Sequence, residues 1–139
     1  MKLSFKLKKT PEYIFDYLTD MQKFASVHPV IWQIDKTGIE SYLVHETLKI
    51  GVIPFPFTYP VTIEKSIINK VVIIRATVFK FNKIEMKFSL KEDSDYTIIE
   101  EEIEFKSPLP VTFFMEKIFK KQHRQLFENI GMCLVLNCY

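Results

Sequence analysis

The feature that most limits the fold of this chain is a run of six strand-like segments with no helical pattern between them. They cover residues 30–36, 40–50, 57–67, 71–81, 83–91 and 96–106. In KIEMKFSLK, at 83–91, apolar and polar residues alternate strictly, which is typical of a strand with one buried face and one wet face. Short turns between consecutive strands favour antiparallel pairing. The segment GVIPFPFTYP, at 51–60, holds three prolines, and we expect it to join no strand ladder before Tyr59.

Predicted helices flank this run on both sides. MKLSFKLKK alternates like a first strand, and Thr10 and Pro11 then supply the N-cap and the first helical position of a short helix. A second short helix ends before His28, because Pro29 disfavours helix at the preceding residue. The longest helical pattern runs from about residue 111 to residue 137, with an apolar stripe along one side. We therefore predict one α+β domain over residues 1–139, with about seven strands, two short helices after the first strand and a long C-terminal helix.

Composition and charge exclude several classes of function. The chain has only 3 glycines, and neither of the glycine-rich phosphate-binding motifs GxGxxG and GxxxxGK occurs in it. Its 19 basic and 17 acidic residues give a net charge of +2, without the basic surplus that is usual in nucleic-acid-binding proteins. No metal-ligand motif connects its 3 histidines and 2 cysteines. We accordingly predict no nucleic-acid partner, no bound metal and no cofactor.

The same sequence carries no signal that directs it to a membrane. Its N-terminal segment lacks the apolar stretch and cleavage site of a signal peptide, and no apolar run approaches the roughly 18 residues that span a bilayer. Cys133 and Cys138 are too few and wrongly spaced for a structural zinc site, so we expect free thiols of a reducing compartment. We therefore expect a soluble cytoplasmic protein with no stable membrane insertion.

Strand register predicts which side chains face the core. A tight turn at Asn82 puts Phe79 and Arg75 on the same buried face as Ile84, and the turn EDSD puts Glu101 there too, if neither strand carries a bulge. For the 57–67 segment the turn that follows it, at residues 68–70, leaves the parity open, and we assign its apolar set to the buried face: Tyr59, Val61 and Ile63.

Polar residues occupy several positions that are predicted to face inward. They are Glu46, Arg75, Glu101, Gln122 and Asn129. Burying a charge costs several kcal/mol unless the charge is paired or hydrated, so two interpretations stay open. Either these groups satisfy one another in an internal network, or water and a ligand reach them in a cavity. In the second case Arg75 would bind an anionic or carbonyl oxygen, and Glu46 or Glu101 would accept a proton.

The order of the predicted elements and two segments of the chain resemble a known superfamily. TPEYIFDYLTDMQKFASVHPVI, at 10–31, is similar to its helix pair followed by a His-Pro step, and SPLPVTFFMEKIFKKQHRQLFENIG, at 107–131, is similar to the start of its last helix. The superfamily is the START-like or SRPBCC group of polyketide cyclases, lipid-transfer domains and coenzyme-Q-binding proteins. The resemblance implies a helix-grip fold, in which a curved antiparallel sheet wraps around the C-terminal helix. No active-site motif of the superfamily matches, so no catalytic residue is assigned.

A helix-grip fold implies a cavity between sheet and helix, although aromatic side chains would fill that space in a close-packed core. Its predicted apolar walls include Phe79, Met86, Phe88, Met115 and Phe119. The leading hypothesis is binding of a small hydrophobic molecule, such as a lipid, quinone or polyketide, by these walls and the five inward polar residues. One alternative is a cyclase or dehydratase that acts on such a ligand. Another is a protein-interaction module that uses its exposed sheet or the basic face of the last helix. The ligand and the oligomeric state stay open.

Overall fold

The computed structural model describes residues 1–132, and within them seven strands form one antiparallel sheet. The strands are β1 (Lys2–Leu7), β2 (Ile31–Lys36), β3 (Ser41–Ile50), β4 (Ile53–Ser66), β5 (Val71–Val78), β6 (Asn82–Asp93) and β7 (Tyr96–Lys106). Their order in the sheet is β1-β7-β6-β5-β4-β3-β2. Each strand from β2 to β7 thus pairs with its neighbours in the chain, and β1 closes one edge beside β7. The predicted antiparallel sheet is confirmed.

Three helices complete the described part of the chain: α1 (Pro11–Thr19), α2 (Met21–Val27) and α3 (Thr112–Met132). The Thr10 hydroxyl caps α1 by accepting a hydrogen bond from the Tyr13 N–H, as its position before Pro11 predicts. Asp20 caps α2 in the same way. Both short helices and the long one are therefore confirmed. The predicted extension of the last helix to residue 137, with Cys133 and also Cys138, lies outside the described residues.

The core lies between the concave face of the sheet and the helices. Its fully buried side chains come from the inward face of the strands, from α1 and from the apolar stripe of α3, and include Ile14, Val72, Phe88, Ile99, Leu126 and Phe127. In β4, Val61 and Ile63 are buried, which confirms the face assigned to that strand. None of the helices within residues 1–132 is long and apolar enough to span a membrane.

Strand β4 is longer than the sequence predicts. It begins at Ile53 and pairs with β3 along its whole length, so the expectation of no ladder before Tyr59 is wrong. The prolines are compatible with this strand because β5 pairs only with the part of β4 from Val61 to Ser66. Pro54 and Pro56 therefore lie where β4 is an edge strand, and an edge strand does not need every N–H as a donor.

The turn between β5 and β6 reverses the predicted face of β5. It contains three residues, 79–81, and it pairs Val78 with Asn82 and Ala76 with Ile84. A shift of one residue moves every side chain of a strand to the opposite face. Ile74 and Ala76 therefore face the core, in place of the adjacent residues that were predicted to do so.

Arg75 consequently lies on the outer face, and its predicted inward position is wrong. Its guanidinium group forms ion pairs with Glu64 and Glu85, each at 3.0 Å. These two carboxylates raise the pKa of the already basic Arg75. Glu101, by contrast, faces inward as predicted, because the two-residue turn between β6 and β7 keeps the expected parity.

Candidate functional site

A cavity of about 210 Å³ lies between the concave face of the sheet and α3. Its walls are almost entirely apolar. They are formed by residues of α2, β2–β7 and α3, among them Phe24, Ile31, Ile34, Val44, Val61, Ile74, Ala76, Ile84, Met86, Phe105, Met115, Ile118 and Phe119. Ala76 is the smallest of the side chains that line this space. The volume is many times the roughly 10–15 Å³ that a single water molecule needs.

The cavity has a recognisable mouth. Of its described lining residues, only Phe79 and Leu109 are exposed, at 54% and 60%. Phe79 lies in the turn between β5 and β6, and Leu109 in the loop before α3. The ring of Phe79 also contacts Phe57 and Phe55 of β4, with centroids 5.2 and 6.2 Å away. The opening is thus bordered by apolar side chains, and a hydrophobic molecule would meet no polar barrier there.

One polar group in the cavity wall is the hydrogen-bonded pair of Glu46 and Tyr59. The Tyr59 hydroxyl donates to Oε1 of Glu46 over 2.7 Å. Burial raises the pKa of Glu46, and the bond from Tyr59 and the charge of His123 offset only part of that effect. Burial and the neighbouring Glu46 together raise the pKa of Tyr59 well above its ordinary value. Tyr59 therefore stays a hydrogen-bond donor, and Glu46 is a carboxyl group that gains a proton more readily than one in water.

His28, which immediately follows α2, also borders the cavity. Its Nδ1 accepts hydrogen bonds from the backbone N–H groups of Val30 and Ile31, at 3.2 and 3.1 Å. Burial lowers the pKa of His28 to about 3, and the nearby His123 adds a smaller repulsive contribution. The ring is therefore neutral at physiological pH. Because Nδ1 is the acceptor, the proton of the neutral ring is on Nε2.

The third polar feature is a buried pair of side chains, His123 of α3 and Glu101 of β7. Nδ1 of His123 lies 2.5 Å from Oε2 of Glu101, and the two residues are 4% and 1% exposed. The rings of Phe119 and Phe88 pack around the imidazole, with centroids 5.9 and 6.2 Å away. His123 borders the cavity, whereas Glu101 lies behind it.

The structure brings part of the predicted site together around this cavity. The predicted residues that line it are Glu46, Phe79, Met86, Met115, Phe119 and Gln122. Glu101 reaches it only through His123, and Phe88 is fully buried in the core beside them. Asn129 has a different contact: its Nδ2 donates to the backbone carbonyl of Val27 over 2.8 Å and so ties α3 to the end of α2. Arg75, on the outer face, lies away from the site.

Sequence reasoning missed His28 and His123. A signal for His123 was available, because it lies four residues after Phe119 and three before Leu126, both in the apolar stripe. His28 has no such periodic signal, since it follows the helix end. Within residues 1–132, no three His, Cys, Asp or Glu side chains gather in a way that would hold a metal ion.

Comparison with known proteins finds structures that are similar to this architecture. No family model matches the sequence, and no curated protein matches it. Solved structures match over 94% of the chain. A protein from Thermus thermophilus has a TM-score of 0.74, 9% identity and 93% of its own chain covered. A START superfamily protein from Mycobacterium smegmatis has a TM-score of 0.70, 14% identity and 93% covered.

An aromatase/cyclase, Zhui, from Streptomyces sp. R1128 has a TM-score of 0.65, 9% identity and 89% of its chain covered. Identities this low carry information on the fold alone. The fold of these proteins matches the antiparallel sheet, the two short helices after β1 and the long last helix. The chain therefore has the helix-grip fold that the resemblance of its sequence implies.

Proposed function

We propose that this protein binds a small, mainly apolar molecule in the cavity between its sheet and α3. The observation that carries this proposal is the cavity itself, with apolar walls, an apolar mouth at Phe79 and Leu109, and a few polar groups inside. This combination is typical of small-molecule sites. The volume of about 210 Å³ is below the roughly 300–1,000 Å³ of drug-sized pockets. A bicyclic aromatic compound or a short acyl chain therefore fits better than a phospholipid.

Native mass spectrometry of freshly purified protein tests the proposal directly. A carrier that retains its ligand shows an extra mass under gentle conditions, and that mass disappears on denaturation. For the emptied protein, titration with 2-acetylnaphthalene, a small aromatic ketone, measures binding by the change in the fluorescence of this compound.

Two neighbouring residues of β5 supply a matched pair of variants for this titration. Ala76→Leu adds a branched side chain to the cavity wall, whereas Thr77→Leu makes a similar change on the outer face. We expect Ala76→Leu to weaken binding at least tenfold and Thr77→Leu to leave it unchanged. Equal effects of the two substitutions, or no binding by the wild-type protein, would contradict the proposal.

A second candidate function is acid–base catalysis of the cyclase or dehydratase type. It is favoured by one observation, the buried Glu46 with its raised pKa in the cavity wall, and a similar fold occurs in an aromatase/cyclase. In such a reaction the ionised Glu46 removes a proton from the carbon beside a ligand carbonyl, and the C–H electron pair forms the enolate. The protonated carboxyl group then returns that proton to carbon or to a departing hydroxyl group.

Hydrogen–deuterium exchange separates this activity from binding. In D₂O, catalysed enolisation converts the methyl group of 2-acetylnaphthalene to its deuterated form, which NMR follows. We expect exchange above the buffer rate in the wild type, loss of this excess in Glu46→Gln, and no change in Glu64→Gln, whose carboxylate lies on the outer face beside Arg75. Exchange at the buffer rate in the wild-type protein would reject enolisation and leave binding as the function.

A further inference from the structure

The buried pair of His123 and Glu101 is an unusual feature beside an apolar cavity. Neither carboxyl oxygen of Glu101 has a well-formed hydrogen bond within residues 1–132, and Nδ1 of His123 at 2.5 Å is its near neighbour. An isolated ionised carboxylate with these surroundings would be strongly unfavourable. The pair is therefore most stable with a proton between the two groups, so that it carries no net charge.

Because the pair shares one proton, the protonation of the second ring nitrogen of His123, Nε2, is also defined. If the shared proton is on Nδ1, the ring is an imidazolium ion and Nε2 carries a hydrogen. If it is on Glu101, Nδ1 accepts a hydrogen bond, and the neutral ring carries its hydrogen on Nε2. In both forms of the neutral pair, His123 has an Nε2–H donor. Since Nδ1 is turned towards Glu101 and the ring borders the cavity, Nε2 is the nitrogen available to a bound molecule.

The charges around the cavity limit what this donor can bind. Glu46, in the wall of the same cavity, is close enough for His123 to affect its charge state. A ligand with its own negative charge would enter a site of low dielectric whose described lining includes a carboxyl group, Glu46, and no lysine or arginine to pair with the charge. A neutral carbonyl oxygen accepts the same hydrogen bond without that cost.

We propose that His123, positioned by Glu101, donates a hydrogen bond from Nε2 to a neutral carbonyl oxygen of the bound molecule. The ligand class is thus an apolar ring system or chain that bears a ketone, ester or quinone oxygen. This inference rests on the proposed binding function and adds to it the polar group that the cavity recognises. His123 is the binding residue, and Glu101 is a positioning residue that acts through it.

Two compounds of nearly the same shape test the proposal. 2-Acetylnaphthalene has a carbonyl oxygen where 2-isopropenylnaphthalene has a CH₂ group. One net hydrogen bond corresponds to about three- to tenfold in affinity, so we expect the ketone to bind wild-type protein about that much more tightly. Its infrared C=O stretch should also move to lower wavenumber on binding than in a hydrocarbon solvent.

Variants of His123 locate this preference. His123→Leu should bind the ketone no more tightly than the alkene, because the buried carbonyl oxygen then has no donor. His123→Gln, whose amide N–H₂ reaches about as far as Nε2, should recover part of the preference. His45→Leu is the matched control, because His45 also pairs with a carboxylate, Asp35 at 2.7 Å, yet does not border the cavity. It should keep the full preference for the ketone.

A measurement on the wild-type protein covers the case in which His123→Leu does not fold. The ¹⁵N chemical shifts of His123, assigned with His123→Gln, should show a protonated Nε2, and Glu101→Leu should change the tautomer. An unprotonated Nε2 in the wild type would overturn the proposal. Equal binding of both compounds with an unshifted C=O band would overturn it as well, while the binding function would stand. Binding of neither compound would reject the proposed function, and this inference with it.

Discussion

Burial acts in opposite directions on two ionisable residues of the cavity wall. It raises the pKa of the acid Glu46 and lowers the pKa of the base His28. Both shifts favour the uncharged form, because desolvation penalises whichever form carries charge. The wall of the cavity thus keeps hydrogen-bonding groups while it limits net charge, which suits an apolar ligand with a polar oxygen.

The shift at His28 predicts a pH dependence of stability. The unfolded chain binds a proton at His28 near its ordinary pKa of 6.5, whereas the folded protein does so only at about 3. The unfolded state therefore gains protons first, so this contribution to stability is complete above pH 6.5 and is lost as the pH falls towards about 3. Between about pH 7.5 and about pH 4.5 we expect the wild type to lose about 2–3 kcal/mol through this residue.

The variant His28→Asn isolates this contribution. The Asn side-chain oxygen can accept the N–H bonds of Val30 and Ile31 as Nδ1 does, but it does not titrate. Urea unfolding at both pH values gives the free energy of unfolding of each protein. Effects of all other groups are common to the two proteins and cancel in the difference. The same loss of stability in wild type and variant would mean that His28 is not held neutral in the folded state.

At the scale of secondary-structure elements, turn geometry decided which predictions succeeded. The order of strands and helices followed from apolar periodicity, and Thr10 and Pro11 marked the start of α1. Glu101 was placed correctly because the turn before β7 keeps parity. Arg75 was misplaced because the turn before β6 has three residues, with positive φ at Phe79 and Lys80. Neither residue type is a usual signal for that conformation, so the sequence did not reveal the shift.

This turn leads to a prediction about backbone strain. Lys80 has a φ of +66°, a conformation that costs most residues about 1 kcal/mol or more but glycine almost nothing. After subtraction of the larger chain entropy of glycine in the unfolded state, we expect Lys80→Gly to stabilise the protein by about 0.5 kcal/mol. Thermal unfolding measures the change.

Lys83→Gly provides the control for the turn. It removes the same side chain three residues later, from β6, where φ is not positive. Glycine inside a strand destabilises by roughly 0.5–1 kcal/mol, so the two substitutions should have opposite signs. A loss of stability in both variants would show that Lys80 is not strained in this turn.

At the scale of the whole molecule, the sequence predicted a fold with a place for a cavity but not whether that place is empty. Strand alternation identifies which residues face inward, whereas the free volume depends on how facing side chains interdigitate across β2–β7 and α3. The wrong prediction for β5 shows the difficulty. It turned larger or charged neighbours such as Arg75 towards the core, where the structure has the small side chain of Ala76. The role of Asn129 likewise depends on where α3 crosses α2, which no pattern within α3 specifies.

The empty space has a consequence for stability that two inward residues of β5 can test. Ala76 borders the cavity, whereas Val72 is fully buried outside it. A larger side chain in close-packed core costs about 1–3 kcal/mol, because neighbours must move, but in a cavity it gains contacts that were missing. Chemical unfolding should therefore show Ala76→Leu within about 1 kcal/mol of the wild type and Val72→Phe destabilised by about 1–3 kcal/mol. Comparable destabilisation by both substitutions would mean that the sheet and α3 are packed together without usable space, and the binding function would lose its physical basis.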